Sequence, residues 1–405
     1  MKRMTRMLSA VLTGAVLLPG LAGLLTPKAE AADSGVTINV YNWGQYISDG
    51  SDDCIDVNAA FTEATGIKVN YMTYDTNESL YTKLKTGGSS YDIIIPSDYM
   101  AGRLIDEGLV QPLDFDNIPN YSYVNEAFKN TAYDPDNAYS VPYTWGTVGV
   151  IYNKKYVDEA DIGSWDLLWS EKYAGKILVF DNNRDAFAIA ESRLGYSLNT
   201  TDAVALTDCA ALLGQQKPVV QQYVMDQIFD KMTREEAWIA PYYAGDYLTM
   251  LEDNPDLGFY FPEEGFNLFI DCMMIPGNAE HKAEAEAYIN FLLEPEICGE
   301  NLDYLGYSAT EDAAKEYMDP EMADNEIAYP SEETLARSEA FYYLPTDTNQ
   351  LMDSLWLNVK TGDSEDTTTM MAVTIGVIAL ALAIALIHSV RKKRKRARRC
   401  RYYKK

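Results

Sequence analysis

The chain has 405 residues, with 61 acids against 33 bases and a formal net charge of −28. That length exceeds what a single hydrophobic core usually serves, so two lobes are expected. The acid excess argues against nucleic acid and anionic ligands and favours cations, an effect on selection and rate rather than on fold.

Residues 1–31 read as a secretory signal peptide. Lys2, Arg3 and Arg6 precede an apolar run from Met7 to Leu25 and an Ala29-Glu30-Ala31 cleavage pattern. At the other end, 361–369 is a polar tether and 370–390 is an apolar run of the length a helix needs to cross a bilayer. The basic tail 391–405 follows, and positive charge stays on the cytoplasmic side. These features place the chain in the plasma membrane as a single-pass protein, its ectodomain extracellular or periplasmic and its tail cytoplasmic. Without leader and tail, 18 bases face 60 acids, a net of −42.

Within the ectodomain, Val36, Ile38 and Val40 alternate as a half-buried strand that ends in Tyr41, Trp43 and Tyr46. Open α/β sheets bind ligands at the carboxyl ends of their strands. Trp43 and Tyr46 are therefore expected in a cleft, and Tyr41 in the core. A helix over 53–65, a strand over 67–74, a helix over 77–85 and a strand over 91–96 complete a β-α-β-α-β unit, hence a parallel, doubly wound lobe.

A second series has strands at 146–152, 176–180, 219–224, 237–242 and 268–275. Helices are expected at 165–169, 184–194, 245–252, 284–293 and 295–302. Extended crossovers fall near 143–146 and 265–269. The resulting division is 36–143 with 270–318 for lobe 1 and 144–269 with 319–360 for lobe 2. Cys54, Cys209, Cys272 and Cys298 form no C-x-x-C pair and are expected as free, mostly buried thiols.

Asp271 is the sharpest chemical clue. A carboxylate inside the apolar run FIDCMMIP is costly to bury unless a base or a ligand cation meets it, and bases are scarce. Ser97, Asp98 and Tyr99 follow one strand, Asp181 and Asp185 flank the end of another, and Tyr243 with Asp246 follow a third. Carboxylates separated by rings suit a ligand with ammonium groups along an apolar chain. The acids take charge-assisted hydrogen bonds, and the ring faces give cation–π contact of about 0.5–2 kcal/mol each.

Catalysis fits poorly. The ectodomain has one histidine, His281, in a polar helix start, and no G-x-S-x-G, P-loop or H-E-x-x-H motif. Paired carboxylates of a glycosidase are a rival reading without a fixed separation. No cofactor or metal is expected.

The motifs VYNWGQY, TYDTNESLYTKLKTG, YDIIIPSDYM, YSVPYTWGTVGVIYN, SWDLLW, FIDCMMIP and INFLLEP resemble the polyamine-binding proteins of ABC importers, a family of bacterial extracellular solute-binding proteins. The resemblance covers about Thr37 to Gly362. It implies the type II periplasmic-binding-protein fold, two lobes closing on a ligand at their hinge.

Position by position, it implies Trp43, Tyr46, Ser97, Tyr99, Asp185, Tyr243, Asp246, Phe269, Asp271 and Tyr307 as ligand contacts, with Asp271 the anchoring acid. Asn182, Gly44-Gln45 and the segment AFYYLP depart from the family's pattern, which leaves the choice between diamine and triamine open. The expected function is capture of spermidine or putrescine by a monomeric ectodomain that serves ABC permease subunits, without catalysis. The alternatives are a same-fold binder of another solute, ferric iron included because of the 30 tyrosines, and a polyamine sensor.

Overall fold

In the computed structural model, which describes residues 34–87 and 90–361, the opening unit is built as its alternation requires. β1 (Thr37–Trp43), α1 (Val57–Thr65), β2 (Lys68–Tyr74), α2 (Asn77–Thr86), β3 (Ile93–Ile94) and α3 (Asp98–Asp106) succeed one another, and β1 pairs in parallel with both β2 and β3. Local chemistry sets the boundaries. Asp56 caps α1 through the Ala59 amide, so the helix starts four residues later than the spacing implied, and Gly66 ends it in the left-handed region. Thr76 and Ser79 form a reciprocal capping box on α2.

The chain then builds β4 (Ser140–Asn153), β5 (Ile177–Phe180), α4 (Asn183–Leu194), α5 (Ala203–Gln216), β6 (Val220–Val224), α6 (Gln227–Thr233), β7 (Ile239–Tyr243) and α7 (Ala244–Asp253). β8 (Leu257–Tyr260), β9 (Phe266–Met274), α8 (Lys282–Leu292), α9 (Pro295–Leu305) and β10 (Ser308–Ala309) follow. The described chain closes with two single-turn helices, α10 (Pro320–Ala323) and α11 (Glu332–Leu335), then β11 (Ser338–Ala340) and α12 (Thr346–Thr361).

The strands order as β2-β1-β3-β9-β4-β7-β5-β6, with β10 and β8 paired to β4 and β11 to β9. β4 is the long member. Its residues 140–147 pair antiparallel with β9, and its residues 148–153 pair with β7 and β8. One continuous strand thus belongs to both halves of the sheet, which is why it starts earlier than the expected 146. β5, β6 and β7 are mutually parallel, a second doubly wound half.

Each half has its own apolar core. Ile38, Val40, Phe61, Ile93 and Tyr288 centre one, and Val150, Trp165, Phe180, Ile239 and Tyr242 centre the other. Tyr41 is buried and stacks on Tyr91 with centroids 4.3 Å apart. α5 and α12, which the sequence reading passed over, pack with α4 through Phe187, Leu206, Leu213, Met352 and Trp356. The expected helix at 165–169 is a 3-10 turn. Cys209, Cys272 and Cys298 are buried free thiols.

The fold is a mixed α/β architecture of two sheet halves joined through β4, as the alternation of strands and helices implied. The expected span at 370–390 and the tail at 391–405 lie outside the described residues. Among the described residues no helix is long and apolar enough to cross a membrane.

Candidate ligand-binding cleft

Strand ends and helix starts converge where the two halves meet. Trp43 ends β1, with Tyr46 in the following turn; Ser97 precedes α3 and Tyr99 lies in its first turn. Asp185 sits in the first turn of α4, where Asn182 caps the Arg184 amide at 2.9 Å. Tyr243 ends β7 and Asp246 sits in the first turn of α7. Phe269 and Asp271 lie on β9, and Tyr307 follows α9. Helix N-termini carry partial positive charge, which favours the ionised carboxylates of Asp185 and Asp246.

All ten of these residues line one cleft, with about 900 Å³ of empty space including its open mouth. Three acids in it each accept a hydrogen bond from a tyrosine. The Tyr46 hydroxyl donates to Asp271 Oδ2 at 2.6 Å, Tyr243 to Asp185 Oδ2 at 2.8 Å and Tyr307 to Asp246 Oδ1 at 3.0 Å. None of the three acids forms an ion pair with a base among the described residues. Asp271 is 3 % exposed, and its Oδ1 has no hydrogen-bond partner.

Burial therefore dominates the acids' protonation. It pushes the Asp271 carboxyl up to about 6, against the Tyr46 and Ser97 hydroxyls, which pull the other way. Burial also raises Asp185 to about 6, opposed by Tyr243 and, more weakly, by Arg184. Asp246 rises to about 7 through burial, Tyr307 opposing and Asp226 adding to the rise. The phenols of Tyr46, Tyr243 and Tyr307 are pushed well above their usual range, first by burial and then by the neighbouring carboxylates. They stay protonated donors, which disfavours iron coordination by phenolate.

The rings form a continuous wall. Tyr46 meets Tyr307 edge to face at 5.1 Å, Phe269 meets Tyr307 at 6.3 Å, and Tyr243 meets Phe269 at 5.4 Å. Two glycines let the rings lie on backbone. A Cβ at Gly245 would stand 2.6 Å from the Tyr307 ring, and one at Gly146 would stand 2.7 Å from Phe269. Among the described residues no group of three His, Cys, Asp or Glu is arranged to hold a metal ion.

Sequence reasoning missed several lining residues: Tyr74, Asp75, Arg184, Asp226 and Phe229. Arg184, 3 % exposed, lies over the Phe341 ring at 4.3 Å and donates to Asn199 at 2.8 Å. Phe341, from the segment AFYYLP, also lines the cleft. A base at the start of a helix that also carries a candidate acid was a usable signal for Arg184. Asp226 had none, because its position depends on the meeting of the two halves. Tyr99, counted as a direct contact, also donates to Glu78 at 3.0 Å.

Residues 57–330 match the family model described as bacterial extracellular solute-binding protein. The spermidine/putrescine-binding periplasmic protein of Escherichia coli (strain K12) is 33% identical over 324 residues, which cover 80% of this chain and 91% of that one. The putrescine-binding periplasmic protein SpuD of Pseudomonas aeruginosa is 31% identical over 360 residues, covering 84% and 96%. Among solved structures, the spermidine/putrescine ABC transporter substrate-binding protein PotD of Streptococcus pneumoniae aligns with a TM-score of 0.69 and 36% identity, over 80% of this chain and 99% of that one. The single-pass plasma-membrane placement is corrected accordingly. The matched family is one of extracellular solute-binding proteins, and no described helix is long and apolar enough to span a bilayer.

Proposed function

The chain belongs to the bacterial extracellular solute-binding protein family, and on that premise we propose that it captures a polyamine and delivers it to an ABC permease. The observation that carries this reading is the set of three cleft carboxylates, Asp185 and Asp271 buried and Asp246 half-buried, each held by a tyrosine hydroxyl and none by a base. An alkyl chain with ammonium groups supplies the absent positive charge, while its methylenes lie on the rings of Trp43, Tyr46, Tyr243, Phe269 and Tyr307. Asp271 is the principal anchor, with Asp185 and Asp246 the other acid contacts; Ser97 and Tyr99 complete the wall from the first half.

The division into 36–143 with 270–318 and 144–269 with 319–360 belongs to the same proposal. Ligand bridges the two units, and β4 and β9 act as the connections about which they close. The protein acts as a monomer and binds without turnover. Calorimetric titration of the full chain with spermidine, putrescine and cadaverine tests the reading. Heat of binding and a raised melting temperature are expected with at least one amine. The absence of both responses with all of them overturns it.

A further inference from the structure

β1 and β2 run in register to their last pair, Trp43 opposite Tyr74, whose rings are 4.5 Å apart. The next residues, Gly44 and Asp75, therefore leave the sheet side by side at the rim of the cleft. From the other half, Asp226, two residues beyond β6, reaches the same rim: a Cβ at Gly44 would stand 3.5 Å from its Oδ2. Gly44, Asp75 and Asp226 all line the cleft, and neither acid has an ion-pair partner among the described residues.

Their fields overlap. The Asp226 carboxyl is raised by burial and then by Asp75, and Asp226 in turn raises Asp246. Asp75, Asp226 and Asp246 thus form one electrostatic series from rim to interior. The same cleft gives a separate sign of a cationic donor ligand in the unpartnered Oδ1 of the buried Asp271. The cleft's base, Arg184, acts on Asp185 and Asp98 instead.

We propose that Asp75 and Asp226, one from each half, form an outer ammonium subsite that makes the cleft prefer a triamine to a diamine. The inference rests on the polyamine reading above. Two ammonium groups are accommodated by the inner acids, and a third, further along the chain, reaches the rim and donates charge-assisted hydrogen bonds to both carboxylates. Because the two acids come from opposite halves, like charges oppose closure until a cation lies between them. A triamine then ties the halves together as a diamine does not.

The test is calorimetry of the full chain and of its Asp75→Asn and Asp226→Asn variants with spermidine and putrescine, each variant checked for an unchanged circular-dichroism spectrum. The ratio of spermidine to putrescine affinity is expected to fall at least tenfold in each variant, and Asp226→Glu is expected to restore most of it. If both amines bind the parent and the ratio is unchanged in both asparagine variants, the outer subsite is wrong while the polyamine reading stands. If neither amine binds the parent, both fall together. Should an asparagine variant misfold, the ratio in Gly44→Ser, whose Cβ would stand in contact with Asp226 and whose hydroxyl would compete for its carboxylate, decides: an unchanged ratio overturns the subsite and a fallen one supports it.

Discussion

Glu107, in the first half of the molecule, and Asp271, in the cleft, both accept a tyrosine hydroxyl, yet they differ in protonation. At Glu107, burial raises the carboxyl, but hydrogen bonds from Lys85, Tyr81 and Arg103 outweigh it and hold it down at about 2. At Asp271 burial has only the Tyr46 and Ser97 hydroxyls against it, and the carboxyl rises to about 6. The difference is the base. A surface acid is neutralised within its own fold. The cleft acids have no such base, and burial raises them.

pH draws the largest expected response. Ammonium binds the ionised acids, so binding releases protons and affinity falls as pH drops through 7 and 6. With Asp246 raised to about 7 and Asp185 and Asp271 to about 6, lowering pH from 8 to 5 should weaken spermidine binding by about 100-fold or more. Stability without ligand moves the other way. The folded cleft holds protons that the unfolded chain has lost, so these acids favour folding below about pH 4. That contribution is lost as pH rises to 6 and 7. Calorimetry and thermal melts across pH check the two signs together; a pH-independent affinity would remove the distinction between cleft and surface acids.

Next in size is Asp271→Asn, expected to cost at least about 2 kcal/mol of binding, as when one partner of a buried charge pair is removed, and to flatten the pH profile. Undiminished calorimetric affinity in that variant would sink the anchor assignment. Tyr46→Phe removes one hydrogen bond from the same carboxylate and should cost about 1 kcal/mol, measured in the same titration. At the bottom of the scale, Glu107→Gln should leave polyamine affinity unchanged and lower the melting temperature slightly. A loss of affinity there would mean that the cluster with Lys85 and Arg103 is coupled to the cleft.

Much of the frame was legible because its signals are local. The alternation of Val36, Ile38 and Val40, the Asn77 helix stopping at Gly87, and the continuous apolar run Ile93–Ile95 needed no long-range information. α5 was equally legible and was passed over: Asp202 caps it, and Leu206, Cys209 and Leu213 follow the helical period. α12 was harder to see, because its buried residues pack on α4, α5 and Tyr223 of β6, all distant in sequence. The start of β4 was illegible for a related reason. Ser140 to Pro142 are strand because β9 pairs with them, and that partner lies more than a hundred residues away.

By itself, the sequence determined the composition of the site: acids in excess of bases, rings at strand ends, and a carboxylate inside an apolar strand. Composition and short-range period are properties of neighbouring residues, so they can be read without a fold. Only the tertiary structure decided which hydroxyl serves which acid. Tyr46 and Asp271 are 225 positions apart, Tyr307 and Asp246 are 61 apart, and Tyr243 and Asp185 are 58 apart. It also brought Asp226 to the rim beside Gly44. Tyr307 and Asp246 meet because β4 joins two independently wound halves, whereas the other two pairs close within one half each, and no local pattern specifies which distant side chains will meet.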